Sequence, residues 1–278
     1  MSLDSLPGRA PAGDLQQSGS AIWHYRRFIL ASVVREFRAR YARSYLGATW
    51  LVLAPFAMIL IYTLVFSGLM QARLPGTQQA YAYSVYLCAG LLPWHWFSEL
   101  VSRNTGLFLD HAGLIKKHSF PRLSLPIINA LASGLNFALA MSVFLVFLLV
   151  MGNWPGWSLL WMIPLLLLQL LFASSLGLML GVLNVFFRDV GQAMGIVLQF
   201  WFWLTPIIYP LTALPERIRR VIEWNPMTPL VQAYQGIFLG QGQPDWPTLL
   251  PLALVTLLFT GLAAKSYRAA RNQIVDEL

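Results

Sequence analysis

Charged positions in this chain are scarce and clustered, and the intervals between them mark its elements. A helix needs about 20 mostly apolar residues to cross a hydrocarbon layer of about 30 Å. Between Arg43 and Arg73 lie 29 uncharged residues, among them TWLVLAPFAMILIYTLVFSGLM, and between Arg73 and Glu99 lie 25. From residue 123 to residue 187 there are 65 without a charge. Residues 151–157, MGNWPGW, break that run with the glycines, proline and asparagine of a turn, so it holds two spans. A further 26 uncharged residues separate Asp189 from Glu216, and 19 separate Asp245 from Lys265. The pattern predicts an all-α polytopic membrane protein with six transmembrane helices. Residues 224–244 form one more uncharged stretch. Pro226, Pro229, Gln232, Gln235 and Gly236 in it suit a re-entrant segment better than a lipid-facing span.

Charge then orients the spans. With six spans and the N-terminus inside, 15 of the 19 Lys and Arg residues fall on the cytoplasmic side, and only Arg73, Arg217, Arg219 and Arg220 stay outside. A seventh span would carry the basic C-terminal tail outward, against the positive-inside rule. Both termini are therefore expected in the cytoplasm. Composition supports the class: 57% of residues are hydrophobic and 11% are charged, against about 25% charged in a soluble domain. A cytosolic enzyme and a disordered chain are both excluded. The net charge of +8 points to anionic lipid headgroups rather than nucleic acid, because no nucleic-acid module accompanies it. The single cysteine, Cys88, leaves no internal disulfide and no cysteine metal cluster. Residues 1–20 lack an apolar core and are expected to be a flexible cytoplasmic tail rather than a signal peptide.

Residues 22–45 mix arginine with aromatics. Ile22, Ile29, Val33, Phe37 and Tyr41 fall on one helical stripe, with Arg27, Arg35 and Arg38 opposite and Arg26 and Arg40 intruding. This predicts an amphipathic helix over 21–45 lying along the cytoplasmic leaflet. A juxtamembrane anchor that only fixes topology explains the same pattern.

Much chemistry is missing. The lysines are Lys116, Lys117 and Lys265, none follows glycine, and the chain has no phosphate-binding loop of its own. The motifs of zinc peptidases and serine hydrolases are absent too, and the four histidines are too scattered for a metal site. His95 and Glu99, one helical turn apart, are the pair nearest the membrane interior. They read either as a proton relay of an ion-coupled transporter or channel, or as a polar pair in an interfacial belt beside Trp94 and Trp96.

Three other features remain. The loop at 102–121 is too long for a turn and too polar to span. Its LFLDHAGLIKK segment can form a short helix, with Leu107, Leu114 and Ile115 offering apolar contacts to a partner's groove. FFRDVGQ, at 186–192, places Arg188 and Asp189 in a short cytoplasmic turn. Residues 207–246 contain an amphipathic stretch, LPERIRRVIEWNP, then a proline break and a second apolar stretch. They read as a pair dipping in from outside or as an external cap. Aromatics are abundant, and Tyr62, Trp161, Trp201 and Trp203 are candidates for a pore whose rings stack on sugar C–H faces. Lipid-facing aromatics read alike.

RYARSYLGATWLVLAPFAMILIYTLVFSGL, residues 40–69, resembles the start of the permease subunits of type-2 ABC exporters for polysaccharides, through Arg40, Tyr41, Ser44, Leu46, Gly47, Trp50, Pro55, Tyr62, Val65 and Phe66. FPRLSLPIINALASGLNF, NVFFRDVGQ and LTPIIYPLTALPERIRRVIEWNPMTPLVQAYQGIFL match later family segments in order, so the resemblance covers roughly residues 25–265. It implies a six-span permease over 46–265, a cytoplasmic tail over 266–278, a homodimer and two ATPase partners in the bacterial inner membrane. ATP and Mg would bind those partners, with no cofactor in this chain. A coupling helix would be formed by Leu107, Asp110, His111, Leu114, Ile115, Lys116, Lys117 and His118. The N-terminal helix would touch the ATPase and gate the entrance. Arg35, Arg38, Arg40 and Arg43 would attract the pyrophosphate head of a lipid-linked glycan such as O-antigen, capsule or teichoic acid. Short re-entrant helices carrying Pro215, Ile218, Trp224, Pro226, Pro229 and Tyr234 would form the outer gate.

Overall fold

The computed structural model describes residues 25–41, 47–69, 81–117, 124–270 and 273–278. Residues 1–20, Arg43 and His118 lie outside them, as do the side chains of Arg40 and Lys117. No strand occurs among the described residues. Helix α1 is Arg26–Tyr41. A single turn at Gly47–Thr49 precedes α2, Trp50–Tyr62, which widens into a π-helical stretch at Thr63–Leu69. Then come α3 (Ala82–Asp110), α4 (Ala112–Lys117) and α5 (Ser124–Val150). A 3₁₀ segment at Gly156–Trp161 leads into α6, Met162–Phe186. Helices α7 (Asp189–Trp203), α8 (Glu216–Glu223), α9 (Met227–Phe238), α10 (Trp246–Ala270) and α11 (Gln273–Glu277) complete the order.

Three helical stretches among the described residues are long and apolar enough to cross a membrane: Ser124–Val150, Gly156–Phe186 and Trp246–Ala270. The turn that parts the first two lies in 151–157, where Gly152 and Gly156 adopt φ of +71° and +63°, a region open to glycine at no steric cost. Helix α3 is as long as these, at 29 residues, but Glu99, Arg103 and Asp110 occupy its second half.

Helices α3 and α6 make the most extensive helix pairing among the described residues. Gly177 and Gly181 of α6 explain how they approach. A Cβ on Gly181 would sit 2.3 Å from the Asn104 carbonyl oxygen of α3, and one on Gly177 would sit 2.6 Å from the Asn104 Cβ. This small-xxx-small spacing lets two backbones meet where no hydrophobic force between lipid-like surfaces pulls them together. Around the pair lies the main core, with Phe97, Leu100, Phe144, Leu165, Phe172, Leu230, Tyr234 and Phe238 almost fully buried. A second core ties the ends of α3, α5, α6 and α10 to the short elements: Ile29 and Val33 of α1, Ile115 of α4 and Ile274 of α11 pack with Leu107, Phe108, Leu125, Ile128 and Val185.

Candidate functional site

The expected helix around 107–118 takes a different form. Leu107 and Asp110 belong to α3, which runs on to Asp110 before the chain bends at His111. The amides of Leu114 and Ile115 both donate to the His111 carbonyl at 3.0 Å, and the His111 imidazole lies 2.9 Å from the Leu107 carbonyl. Helix α4 is therefore a short foot at a fixed angle to α3. Leu107 and Ile115 are buried in the second core and brace it from behind. Asp110 and Lys116 are exposed, while His111 and Leu114 are half-buried.

Helix α1 buries Ile29 and Val33 of the expected stripe. Leu30 and Val34 remain 59% and 48% exposed beside the exposed Arg26, Arg27, Arg35 and Arg38, the mixture that suits a headgroup boundary. Arg35 Nη2 donates to Ser32 Oγ at 3.4 Å.

An ion-paired seam that the sequence reading missed connects α1 to α3 and α5. Arg103 of α3 reaches Glu36 of α1 at 2.5 Å and Glu99, one turn back, at 3.5 Å. Arg103 Nη2 also donates to Asn129 Oδ1 at 3.2 Å, and Asn129 Nδ2 donates to Asn104 Oδ1 at 3.1 Å and to the Arg103 carbonyl at 3.2 Å. Asn136 Nδ2 donates to Glu99 Oε1 at 3.2 Å. Glu99 thus answers a guanidinium and a carboxamide, and its charge also acts on His95 one turn away. A cavity of ≈460 Å³ lies against this seam, with Arg35, Arg103 and His111 facing Glu36 and Asp110. The FFRDVGQ turn is held by a residue the motif did not flag: Asn184 accepts from the Gly191 amide at 2.9 Å and donates to the Thr105 carbonyl of α3 at 3.0 Å. Phe187, Arg188 and Asp189 are left exposed.

At the other end, α7 stops at Trp203 and the chain runs irregularly to α8. Freed carbonyls need partners away from water, and side chains supply them. The Tyr86 hydroxyl lies 3.0 and 2.9 Å from the carbonyls of Pro206 and Tyr209, Gln235 Nε2 donates to Pro206 at 3.2 Å, and the Tyr83 hydroxyl donates to Ile208. Asn225, between α8 and α9, receives Trp201 Nε1 at 2.7 Å and the Met227 amide at 3.0 Å, and donates to Leu204 O at 3.0 Å and Thr205 Oγ1 at 2.9 Å. Replacing Asn225 with leucine removes these bonds at once. At about 1 kcal/mol net for each bond, we expect a loss of about 2–4 kcal/mol, read as a lowered detergent melting temperature and faster amide exchange over 204–228.

Of the expected outer-gate residues, Pro215, Ile218 and Trp224 are exposed and Pro226 and Pro229 are half-buried, whereas Tyr234 is wholly buried in the main core. The candidate pore aromatics are not gathered. Trp201 packs edge-on to Trp94, Phe97 and Phe172, Trp161 meets Trp246 at 5.7 Å, Tyr62 meets Phe66 at 6.3 Å, and Trp203 is 58% exposed. No cluster of metal-binding side chains occurs among the described residues.

Residues 27–239 match the family described as ABC-2 type transporter. The chain belongs to that family. An O-antigen export system permease protein, RfbA, of Myxococcus xanthus is 31% identical over 259 residues, covering 92% of this chain and 97% of the relative. A protein of the same description from Klebsiella pneumoniae is 31% identical over 231 residues, covering 82% of this chain and 87% of its own length. The polysialic acid transport protein KpsM of Escherichia coli is 25% identical over 245 residues, 84% of this chain and 90% of the relative. These relatives cover between 82% and 92% of the chain.

Proposed function

We propose that this chain is the permease subunit of an ATP-driven exporter that carries a lipid-linked polysaccharide across the bacterial inner membrane. The observation that carries it is the near full-length similarity to permeases of O-antigen and polysialic acid export, in a chain with no phosphate-binding loop. ATP and Mg belong to a separate ATPase subunit, and two such subunits serve a permease homodimer. The six spans are α2 with its π-helical end, α3, α5, α6, α7 and α10, with both termini cytoplasmic. Helix α4 is the coupling foot, and α1 is the gate helix at the headgroup boundary. The outer gate is α8 with α9. The ion-coupled reading of His95 and Glu99 is not favoured, because the relatives are named as polysaccharide export proteins.

Two experiments test this. A mild-detergent pull-down of the tagged chain from its native membrane is expected to recover a stoichiometric P-loop ATPase, and none across several detergents would overturn the proposal. Replacing Arg35, Arg38, Arg40 and Arg43 together with alanine is expected to cut export at least tenfold with membrane insertion intact. Unchanged export would refute recruitment of the lipid head by these arginines.

A further inference from the structure

A cleft of ≈320 Å³ opens between α2, α3 and α5, about 20 Å along α3 from its α4 end at 1.5 Å per residue. Its wall combines two kinds of surface. Trp50, Trp96 and Phe137 are aromatic, and His95, Glu99 and Asn136 are polar. Trp96, Phe137, Glu99 and Asn136 are held in place. Trp96 stacks on Phe137 with centroids 4.8 Å apart, and its Nε1 donates to Ser133 Oγ at 3.3 Å. Trp50 is 44% exposed. Asn136 Nδ2 donates to Glu99 Oε1 at 3.2 Å, which fixes both side chains. Asn136 Oδ1 is buried with no hydrogen-bond partner among the described residues. The His95 side chain is exposed in the cleft.

Ligand chemistry follows from that wall. An anion would meet the Glu99 carboxylate. An acyl chain would leave the exposed His95 imidazole without a partner. A neutral polyol meets both requirements. Its hydroxyls donate to Glu99 and exchange a hydrogen bond with the imidazole, while an apolar C–H face lies on the exposed Trp50 indole. The volume is at the small end of ligand sites, which run from about 300 to 1,000 Å³, so one sugar ring fits better than an oligosaccharide.

We propose that this cleft is a saccharide subsite that holds one sugar residue of the transported polymer, with His95 and Glu99 as its hydroxyl partners and Trp50 as the platform for its C–H face. The assignment rests on the exporter reading and adds a fixed contact point to it.

The test uses the full chain in its own cells, grown on radiolabelled glucose so that the polymer is labelled. Met58→p-benzoylphenylalanine places a photoreactive group on the cleft wall, and Leu131→p-benzoylphenylalanine places it on an exposed position of α5 as the control. On irradiation during export, labelled adduct at position 58 is expected to exceed that at 131 by fivefold or more. Adding His95→Leu and Trp50→Leu to the position-58 probe is expected to remove that excess at equal levels of inserted protein. Equal adduct at both positions, in cells that still export polymer, would overturn the subsite and leave the exporter reading standing. Deleting the chain separates the two: polymer still reaching the cell surface would sink the exporter reading and the subsite together.

Discussion

Gly181→Ala is expected to destabilise the protein sharply, although the same change elsewhere in a helix is helpful. Glycine in a helix interior is about 1 kcal/mol less favourable than alanine, so substitution normally gains stability. At position 181 the new Cβ would lie 2.3 Å from the Asn104 carbonyl oxygen, far inside van der Waals contact. Overpacking costs about 1–3 kcal/mol where neighbouring side chains can move aside. Here the obstacle is backbone at the centre of the α3–α6 pairing. That carbonyl cannot shift alone, because the Asn104 side chain is tied to Asn129 and the adjacent Thr105 carbonyl to Asn184. The clash therefore outweighs the propensity gain, and Gly181→Leu separates the helices outright. Thermal unfolding in detergent with size-exclusion profiles is the measurement. We expect a fall of many degrees for alanine and loss of monodisperse protein for leucine. Gly134→Ala and Gly261→Ala, where nothing lies within 4 Å of the added carbon, are the controls and should hold or gain stability. A wild-type melting curve for Gly181→Ala would disprove the close approach.

The contrast between these glycines marks what a sequence can and cannot carry. The turn in 151–157 was legible because it is local: glycine, proline and asparagine interrupt an apolar run, and Gly152 and Gly156 take the positive φ values that such a break permits. The buried stripe of α1 was legible for the same reason, since Ile29 and Val33 recur at helical spacing. The seam was not. Glu36 and Arg103 are 67 residues apart, and each looks like an ordinary cytoplasmic charge until the fold joins them. Glu99 was visible beside His95, but its partner Asn136, on another helix, was not. Extension of α3 through Leu107 and Phe108 was hidden too, because the core that buries those residues draws in α1, α5, α6 and α10, which are distant in sequence. Tyr234 sits in a segment with a polar and proline-rich composition, yet a packed core encloses it. Local punctuation is written in the chain, whereas partners across helices come from packing.

Arg103→Ala is expected to be the most damaging single charge change in the described part of the chain. Arginine's forked guanidinium serves Glu36, Glu99 and Asn129 together, which a lysine point charge does not reproduce. Truncation removes the Arg103 cation from two partly buried carboxylates, on α1 and α3. Removing one partner of a fully buried pair costs about 3–5 kcal/mol. The side chains here are 19% exposed for Arg103 and 32% for Glu36, so solvent screening lowers the expectation to about 2–3 kcal/mol. The loss is greater in function than in global unfolding, because the seam is what pins α1 against α3 and α5 beside the foot that α4 makes. Amide exchange over residues 26–41 should therefore accelerate at least tenfold in Arg103→Ala, and export should fall with it. Arg103→Lys should lie between the variant and the wild type. The physical cause is separable from mere loss of bulk. Combining Arg103→Met with Glu36→Gln and Glu99→Gln removes both carboxylate charges as well, and replacing an ionic cluster with neutral residues of similar volume is often harmless to stability. That triple variant should recover most of the melting temperature lost in Arg103→Ala. If it melts as low as the single variant, the packing of the arginine stem rather than its charge holds α1 in place.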